Sequence, residues 1–398
     1  MASTKYIVLL GDGMPDRPVA ALGGKTPLQA AKTPNLDRIA TEGTLGKVDL
    51  IPQGYPAGSD VGHLSVLGYD PARYYTGRSP IEAAARGIQL GSGDVAYRMN
   101  LITLAKQGGA TIMADFAGGH PETPDAAKIV AILAHQLGTA EFEFHAGVSY
   151  RHLLIWRGGS AKPRTVPAHD LSDKPVDDAY PTGEGSEPLV QIIRRSQELL
   201  AANQILPKVN SVWFWGQGTA TRLIPFQKLH GIGGALISAV DLVSGIAVLA
   251  GLKRLEVPGI TGYYDTNYEG KVEHALRYLR DAGDFVFLHV ESTDEGGHSG
   301  VLANKIRALE DFDRRVVGPV LKGMREFPRW RVMVTSDHAT PVELKTHVPD
   351  PAVFAILASG MPKDRKGKMA RGFNEVDAEL TRVLVKPGHD LMKLFLKG

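Results

Sequence analysis

Three aspartates in this chain stand just past short apolar runs of strand character: Asp12 after Tyr6–Leu10, Asp294 after Phe285–Val290, and Asp337 after Arg331–Thr335. In a parallel sheet each emerges at the carboxyl edge, where open α/β sheets form their ligand sites, so carboxylates far apart in sequence converge in space. Histidines accompany two of them. Asp294-Glu295-Gly296-Gly297-His298 sets a carboxylate and an imidazole four apart, Asp337-His338 sets them side by side, and His347 follows nine residues later. The chain has no cysteine, so a metal site must use Asp, Glu and His with Ser or water, a donor set that suits Mn²⁺, Zn²⁺ or Mg²⁺. Taken singly, each residue has an ordinary reading, since an Asp after a strand is commonly a helix N-cap and an isolated His packs or sits on the surface. Their occurrence together, in this order, points to metal chemistry.

Ser59 lies in Gly54-Tyr55-Pro56-Ala57-Gly58-Ser59-Asp60-Val61, a Gly/Pro-rich turn opening a predicted helix. It suits an N-cap. It equally suits a nucleophile, because a helix N-terminus offers backbone N–H groups to a phosphate and a nearby metal makes a serine hydroxyl easier to ionise. His63, one turn further on, packs or caps in the plain reading; beside a metal it would also perturb affinity or proton transfer.

The elements that must position these residues alternate along the chain. Strand Tyr6–Leu10, helix Pro34–Glu42, strand Val48–Ile51 and helix Ser59–Leu67 open it; strand Phe285–Val290, helix Leu302–Glu326 and strands Arg331–Thr335 and Val353–Leu357 close it. This alternation predicts an α/β class with a mainly parallel sheet. The middle differs, with helix Asp125–Leu137, strands Glu141–His145 and Arg151–Trp156, and a polar run from Gly158 to Pro188. It reads as a small inserted α+β domain at 119–185, within a core made of 1–118 and 186–398. Gly231–Leu252 approaches membrane length but carries Asp241, and reads as a strand and a buried helix. The apolar run at Tyr6–Leu10 is too short for a signal peptide. With 45 basic against 43 acidic residues and a net charge of +2, nucleic acid and anionic membrane are not the expected partners, and a cytoplasmic setting fits the missing cysteine.

Leu9-Leu10-Gly11-Asp12-Gly13-Met14, Lys25-Thr26-Pro27-Leu28, Thr33-Pro34-Asn35, Gly58-Ser59-Asp60, Thr76-Gly77-Arg78-Ser79-Pro80-Ile81-Glu82-Ala83-Ala84, Asp294-Glu295-x-Gly297-His298 and Asp337-His338 run in this order over nearly the whole chain. Together they resemble the archaeal-type, cofactor-independent phosphoglycerate mutases of the alkaline phosphatase superfamily. The resemblance implies that superfamily's three-layer core and a two-metal site. Asp12, Ser59, Asp337 and His338 would surround one ion, and Asp294, His298 and His347 the other, with Mn²⁺ the first choice and Zn²⁺ or Mg²⁺ the alternatives. His389 is a weaker competitor for the place of His347, because its setting reads as the start of a C-terminal helix. The implied reaction interconverts 3-phosphoglycerate and 2-phosphoglycerate through a phosphoserine on Ser59, without bisphosphoglycerate and with the inserted domain as a lid.

A small phosphorylated carboxylic acid asks for Arg and Lys. Arg98, Arg151, His152, Lys228 and Lys271 are the candidate contacts, with Arg78 behind them. Each has a plain alternative, such as a buried ion pair for Arg98 and a strand-edge charge for Arg151. Gly23-Gly24-Lys25-Thr26 lacks the first glycine of a phosphate-binding loop, and Gly11-Asp12-Gly13 lacks the third glycine of a dinucleotide fingerprint, so both read as turns. The rival activities on the same metal core are a homoserine-kinase-like phosphotransfer, suggested by Trp213-Phe214-Trp215-Gly216-Gln217-Gly218 and Val148-Ser149-Tyr150-Arg151-His152, and a plain phosphomonoesterase. An inactive metal-binding module predicts a missing nucleophile or ligand, and none is missing.

Overall fold

The computed structural model describes residues 3–361 and 371–397. In chain order its strands are β1 (Lys5–Gly11), β2 (Thr44–Val48), β3 (Val95–Gln107), β4 (Ala110–Asp115), β5 (Phe142–His145), β6 (Arg151–Trp156), β7 (Ser211–Thr219), β8 (Ala235–Ile237), β9 (Lys253–Arg254), β10 (Phe285–Val290), β11 (Trp330–Thr335), β12 (Ala352–Ala358) and β13 (Leu384–Val385). The chain forms two compact units, Met1–Tyr75 with Leu223–Gly398, and Thr76–Arg222. Among the described residues, no helix is long and apolar enough to cross a membrane.

The first unit holds an eight-stranded sheet in the order β13-β2-β12-β11-β1-β10-β8-β9. It is parallel except where β12 runs against both β11 and β2. The three strands whose ends carry the aspartates are neighbours, with Gly11 opposite Val290 and Leu10 opposite Thr335. Every residue of β10 is buried, the pattern of a strand covered on both faces. Val286, Leu288 and Val290 join Val272, Ala275, Leu276 and Leu279 of the helix Tyr268–Asp281 on one side. Phe287 and His289 turn to the other, where the His63 ring of the helix Ser59–Val66 lies 5.9 Å from Phe287 and 5.0 Å from His289. The expected three-layer α/β core is thus present.

Two elements depart from expectation. The strand expected at Val48–Ile51 is β2, Thr44–Val48. Leu50 and Ile51 are buried as their apolarity suggests, but the antiparallel ladder to β12 uses Thr44–Val48, and burial alone does not distinguish a strand from a packed loop. The helix expected at Leu302–Glu326 is α-helical over Leu302–Phe312, widens to a π turn at Asp313–Val317, and resumes at Gly318–Gly323. Pro319 follows that turn and has no N–H to continue an α ladder. Asp313 in the widened turn accepts from Leu36 N at 2.7 Å and from Asn35 Nδ2 at 2.8 Å, capping the helix Pro34–Glu42, whose own Thr33 makes no side-chain cap.

The second unit is an antiparallel sheet, β4-β3-β6-β5, with β7 also on β3. Its limits differ from the expected 119–185 insertion. The 13-residue β3 pairs with β4, β6 and β7 at once, so an insertion bounded at 119–185 would sever β6 and β5 from the central strand of their own sheet. In its interior Glu82 lies 2.5 Å from Arg98 and 2.8 Å from Arg78. Burial opposes ionisation of Glu82, but the two guanidinium groups hold its carboxyl down to about 2. Burial also draws Arg98 down to about 10, more than one carboxylate returns.

Two predictions follow from this packing. Gly62 on the helix Ser59–Val66 lies against the Asp337 turn, and a Cβ there would sit 2.6 Å from the Asp337 carbonyl oxygen and 2.8 Å from its Cβ. Gly62→Ala therefore forces helix and turn apart, and thermal and denaturant melts are expected to show a loss of about 1–3 kcal/mol. For Glu82, whose folded pKa lies below its ordinary 4.5, the stabilisation is full above 4.5 and is lost as pH falls towards 2. Glu82→Gln is expected to cost about 3 kcal/mol at pH 7, with the gap to wild type narrowing in urea titrations carried from pH 5 to pH 3.

Candidate metal centre and nucleophile

At the carboxyl edge of β11, β1 and β10 the three aspartates do converge. Asp12 and Asp337 are fully buried and Asp294 is 4 % exposed. Gly13, with φ +56°, turns the chain immediately after Asp12, and its N–H donates to Asp337 Oδ1 at 3.2 Å. A side chain at Gly13 would collide with Asp294 and Thr340, so a residue tolerating positive φ without a Cβ is what lets three carboxylates crowd together.

His338 Nε2 lies 3.4 Å from Asp12 Oδ1, 3.1 Å from Asp337 Oδ2 and 3.2 Å from Ser59 Oγ. Burial draws this imidazole down to about 4 despite the neighbouring Asp337, so it is neutral. Its Nδ1 sits 3.2 Å from Thr340 Oγ1, which itself donates to Asp294 Oδ1. Thr340 Oγ1 therefore accepts from Nδ1–H, and this network assigns a free lone pair to Nε2. Asp12 Oδ1 and Asp337 Oδ2 have no hydrogen-bond donor. A nitrogen lone pair, two buried carboxylate oxygens without donors and a serine hydroxyl thus face one another, an arrangement that calls for a cation.

A second group adjoins it. Asp294, His298 and His347 bring ligand atoms within 4.8 Å of one another, as do Asp12, Asp294 and His338. His298 Nε2 is 3.1 Å from Asp294 Oδ2 and 2.8 Å from His347 Nε2, while its Nδ1 donates to the Lys345 carbonyl at 2.9 Å. A backbone acceptor on one ring nitrogen reserves the other for ligation. Burial works against the charge on His298, but Asp294 holds this imidazole up at about 9. His298 and His347 in turn keep Asp294 well below the usual carboxylate range against its burial. Asp12 is displaced the opposite way, raised by burial and by the charges of Asp337, Glu291 and Asp294. The crowded charge thus favours the protonated forms of Asp12 and His298, and divalent cations would relieve it by displacing those protons. The residues present therefore fit a two-metal centre.

Ser59 is the first residue of its helix. Gly58 occupies the capping position, and no side chain caps the end. The hydroxyl points to His338 instead, so the capping role open in the sequence is not the one the fold uses. His63 Nδ1 donates to the Ser59 carbonyl at 2.8 Å and approaches Asp337 Oδ2 at 3.3 Å.

The other expected residues are placed differently. Lys271 is fully buried, with Nζ donating to the His289 carbonyl at 2.9 Å and its pKa drawn down by burial to about 8, so it braces β10 from the interior. Lys228 is exposed on the short helix Phe226–His230. Arg98 forms the buried pair with Glu82 that its interruption of an apolar strand allowed. His152 is buried and accepts from Gly147 N at 2.9 Å; burial and the charges of Arg86 and Arg98 draw it down to about 3. Arg151 is exposed at the head of β6, its guanidinium 5.1 Å from the Tyr150 ring. Arg78 and Arg98 both stand over the Trp215 ring, at 5.9 and 5.7 Å. His389, the competitor, lies 3.9 Å from Asp70 in the turn Gly388–Asp390.

Sequence reasoning missed two residues. His289 Nε2 contacts Asp12 Oδ2 at 2.8 Å and Nδ1 contacts Ser238 Oγ at 2.9 Å. Its signal was a lone polar residue near the carboxyl end of an apolar strand. Lys305 is fully buried, its ammonium donating to the Gly13 and Thr340 carbonyls. Its signal was a lysine on the same helical stripe as Ala308, Leu309 and Phe312.

Comparison with known proteins agrees with this geometry. Residues 40–205 match the family model for 2,3-bisphosphoglycerate-independent phosphoglycerate mutase. The chain is 48% identical over 400 residues to a probable 2,3-bisphosphoglycerate-independent phosphoglycerate mutase of Geobacter sulfurreducens, covering 98% of this chain and 99% of that one. The PH0037 protein from Pyrococcus horikoshii superimposes with a TM-score of 0.80 at 28% identity, over 100% of this chain and 97% of the other. The cofactor-independent phosphoglycerate mutase from Thermoplasma acidophilum gives 0.63 at 25% identity, over 99% of each chain. Full-length relatedness, a matching fold and a buried Asp/His centre beside a serine place this chain in the family of 2,3-bisphosphoglycerate-independent phosphoglycerate mutases, within the alkaline phosphatase superfamily.

Proposed function

We propose that this protein interconverts 3-phosphoglycerate and 2-phosphoglycerate through a phosphoserine on Ser59. The observation that carries the reading is the position of the Ser59 hydroxyl. It stands at a helix N-terminus, uncommitted to capping, 3.2 Å from a neutral His338 and beside carboxylate oxygens that lack donors.

Asp12, Ser59, Asp337 and His338 would hold one ion and Asp294, His298 and His347 the other, and Mn²⁺ suits this mixture of carboxylates and imidazoles, with Zn²⁺ and Mg²⁺ as alternatives. When bound, such ions lower the pKa of the serine hydroxyl and neutralise charge on phosphate oxygens. Ser59 Oγ attacks the phosphoryl group in line; the bond from phosphorus to the 3-oxygen of glycerate breaks, and that oxygen takes up the proton Ser59 gave up. The glycerate reorients, its 2-hydroxyl oxygen attacks the phosphoserine, the bond from phosphorus to Ser59 Oγ breaks, and the proton of the 2-hydroxyl passes to Oγ. The helix N-terminus at Ser59 favours the negative charge that gathers there in both half-reactions. Arg151, exposed in the second unit, is the group we assign to the substrate's anionic end, since a guanidinium forks onto a carboxylate.

Phosphorus NMR on chelated protein resupplied with Mn²⁺ tests the assignment. Formation of 2-phosphoglycerate from 3-phosphoglycerate without added bisphosphoglycerate is the expected result, lost after chelation and lowered on the order of 10⁴-fold or more in Ser59→Ala. Release of inorganic phosphate alone would make the protein a phosphatase, and phosphorylation of homoserine alone would make it a phosphotransferase. Arg151→Ala should lower kcat/KM by roughly 10–100-fold, chiefly through KM, in initial-rate assays against 3-phosphoglycerate.

A further inference from the structure

Asp12 presents its two carboxylate oxygens to different partners. Oδ1 faces His338, at 3.4 Å, and belongs to the centre described above; Oδ2 faces His289, at 2.8 Å. On the Oδ2 side a separate group gathers. Asp12, His63 and His289, all fully buried, bring ligand atoms within 4.8 Å of one another, and Glu291 Oε2 lies 3.3 Å from His289 Nε2.

Two observations mark this group as a ligand set. His63 Nδ1–H is committed to the Ser59 carbonyl at 2.8 Å, which leaves a lone pair on Nε2, and that buried nitrogen has no hydrogen-bond partner. Glu291 Oε2, also buried, has no donor either. A ring nitrogen fixed by a backbone carbonyl, with its other nitrogen buried and unpartnered, is how metal-binding histidines are set. His289 can join them by reversing one hydrogen bond. Its Nδ1 is 2.9 Å from Ser238 Oγ, and a hydroxyl either donates or accepts. When Ser238 accepts from Nδ1–H, Nε2 carries the lone pair towards Asp12. The buried ammonium of Lys271 does not fill the place, because its Nζ is spent on the His289 carbonyl.

We propose that Asp12, His63, His289 and Glu291 form a third divalent-cation site, with Asp12 bridging it to the catalytic centre. Two imidazoles and two carboxylates favour Mn²⁺ or Zn²⁺ over Mg²⁺ or Ca²⁺. An ion there would hold Asp12 ionised and oriented from its far side, and through His63 would fix the first turn of the helix that carries Ser59. The inference rests on the functional reading only through Asp12, which the two sites share.

The test uses the full chain, stripped with chelator, equilibrated with Mn²⁺ alone, desalted and assayed for bound metal by elemental analysis. The expected content is three equivalents per chain, falling to two in His63→Ala, a variant that keeps the His289–Asp12 hydrogen bond. Anomalous diffraction at the manganese edge from wild-type crystals should place the third peak between the His63 and His289 rings, and it decides the matter even if the variant does not fold. Two equivalents with no density beside His63, or equal content in wild type and His63→Ala, would overturn the proposal. Three equivalents without turnover of 3-phosphoglycerate would uphold this site while removing the functional reading.

Discussion

Mutual repulsion among buried carboxylates is the constraint around which the first unit is organised. Asp12, Asp294 and Asp337 lie at the ends of three adjacent strands, shielded from water, where like charges interact far more strongly than at a surface. Such a cluster survives only if something positive is built in. Part of the answer is covalent: Lys305, wholly buried, reaches the Gly13 and Thr340 carbonyls at the heart of the cluster, and imidazoles flank each aspartate. The rest is left to cations, and the orphaned oxygens of Asp12 and Asp337 mark where they belong. In this design the site and the core are one structure, since the strands that bury Ile7, Val286 and Val332 also fix the carboxylates.

Close approach of backbone to backbone is what permits that crowding. Gly13 takes a left-handed conformation where a side chain would strike Asp294, and Gly62 lets the helix bearing Ser59 lie directly on the Asp337 turn. The hydroxyl of Ser59 is consequently delivered to His338 and not to its own helix terminus. A serine beginning a helix normally satisfies that helix; here Gly58 takes the cap position and the Ser59 side chain turns to His338.

The second unit solves a different electrostatic problem. Glu82 is ion-paired with both Arg98 and Arg78, and both guanidinium groups stand over the Trp215 ring. Burial draws Arg98 down even so, and burial together with the charges of Arg86 and Arg98 keeps His152 neutral.

Much of the centre was legible in the residues themselves. Asp12, Asp294 and Asp337 could be placed together because a strand period followed by an acidic residue, three times over, implies one sheet edge, and Asp-x-x-x-His carries its own geometry on a helix. Ser59 was visible as a serine after glycine at a helix start, though not whether its hydroxyl would cap that helix; that depended on the distance to His338, set by packing. Lys271 and Arg98 are engaged inside the fold, by the His289 carbonyl and the Glu82 carboxylate, and sequence marks such a charge without saying whether a neighbouring carbonyl or carboxylate buries it. The unit boundary at Thr76–Arg222 was equally out of reach, because which strands share β3 is a matter of long-range pairing. The sequence by itself determined the chemistry available, the strand ends that would carry it and the family to which the chain belongs. Only the tertiary structure decided which atoms meet, because contacts such as His289 with Asp12 join positions 277 apart that no local pattern relates.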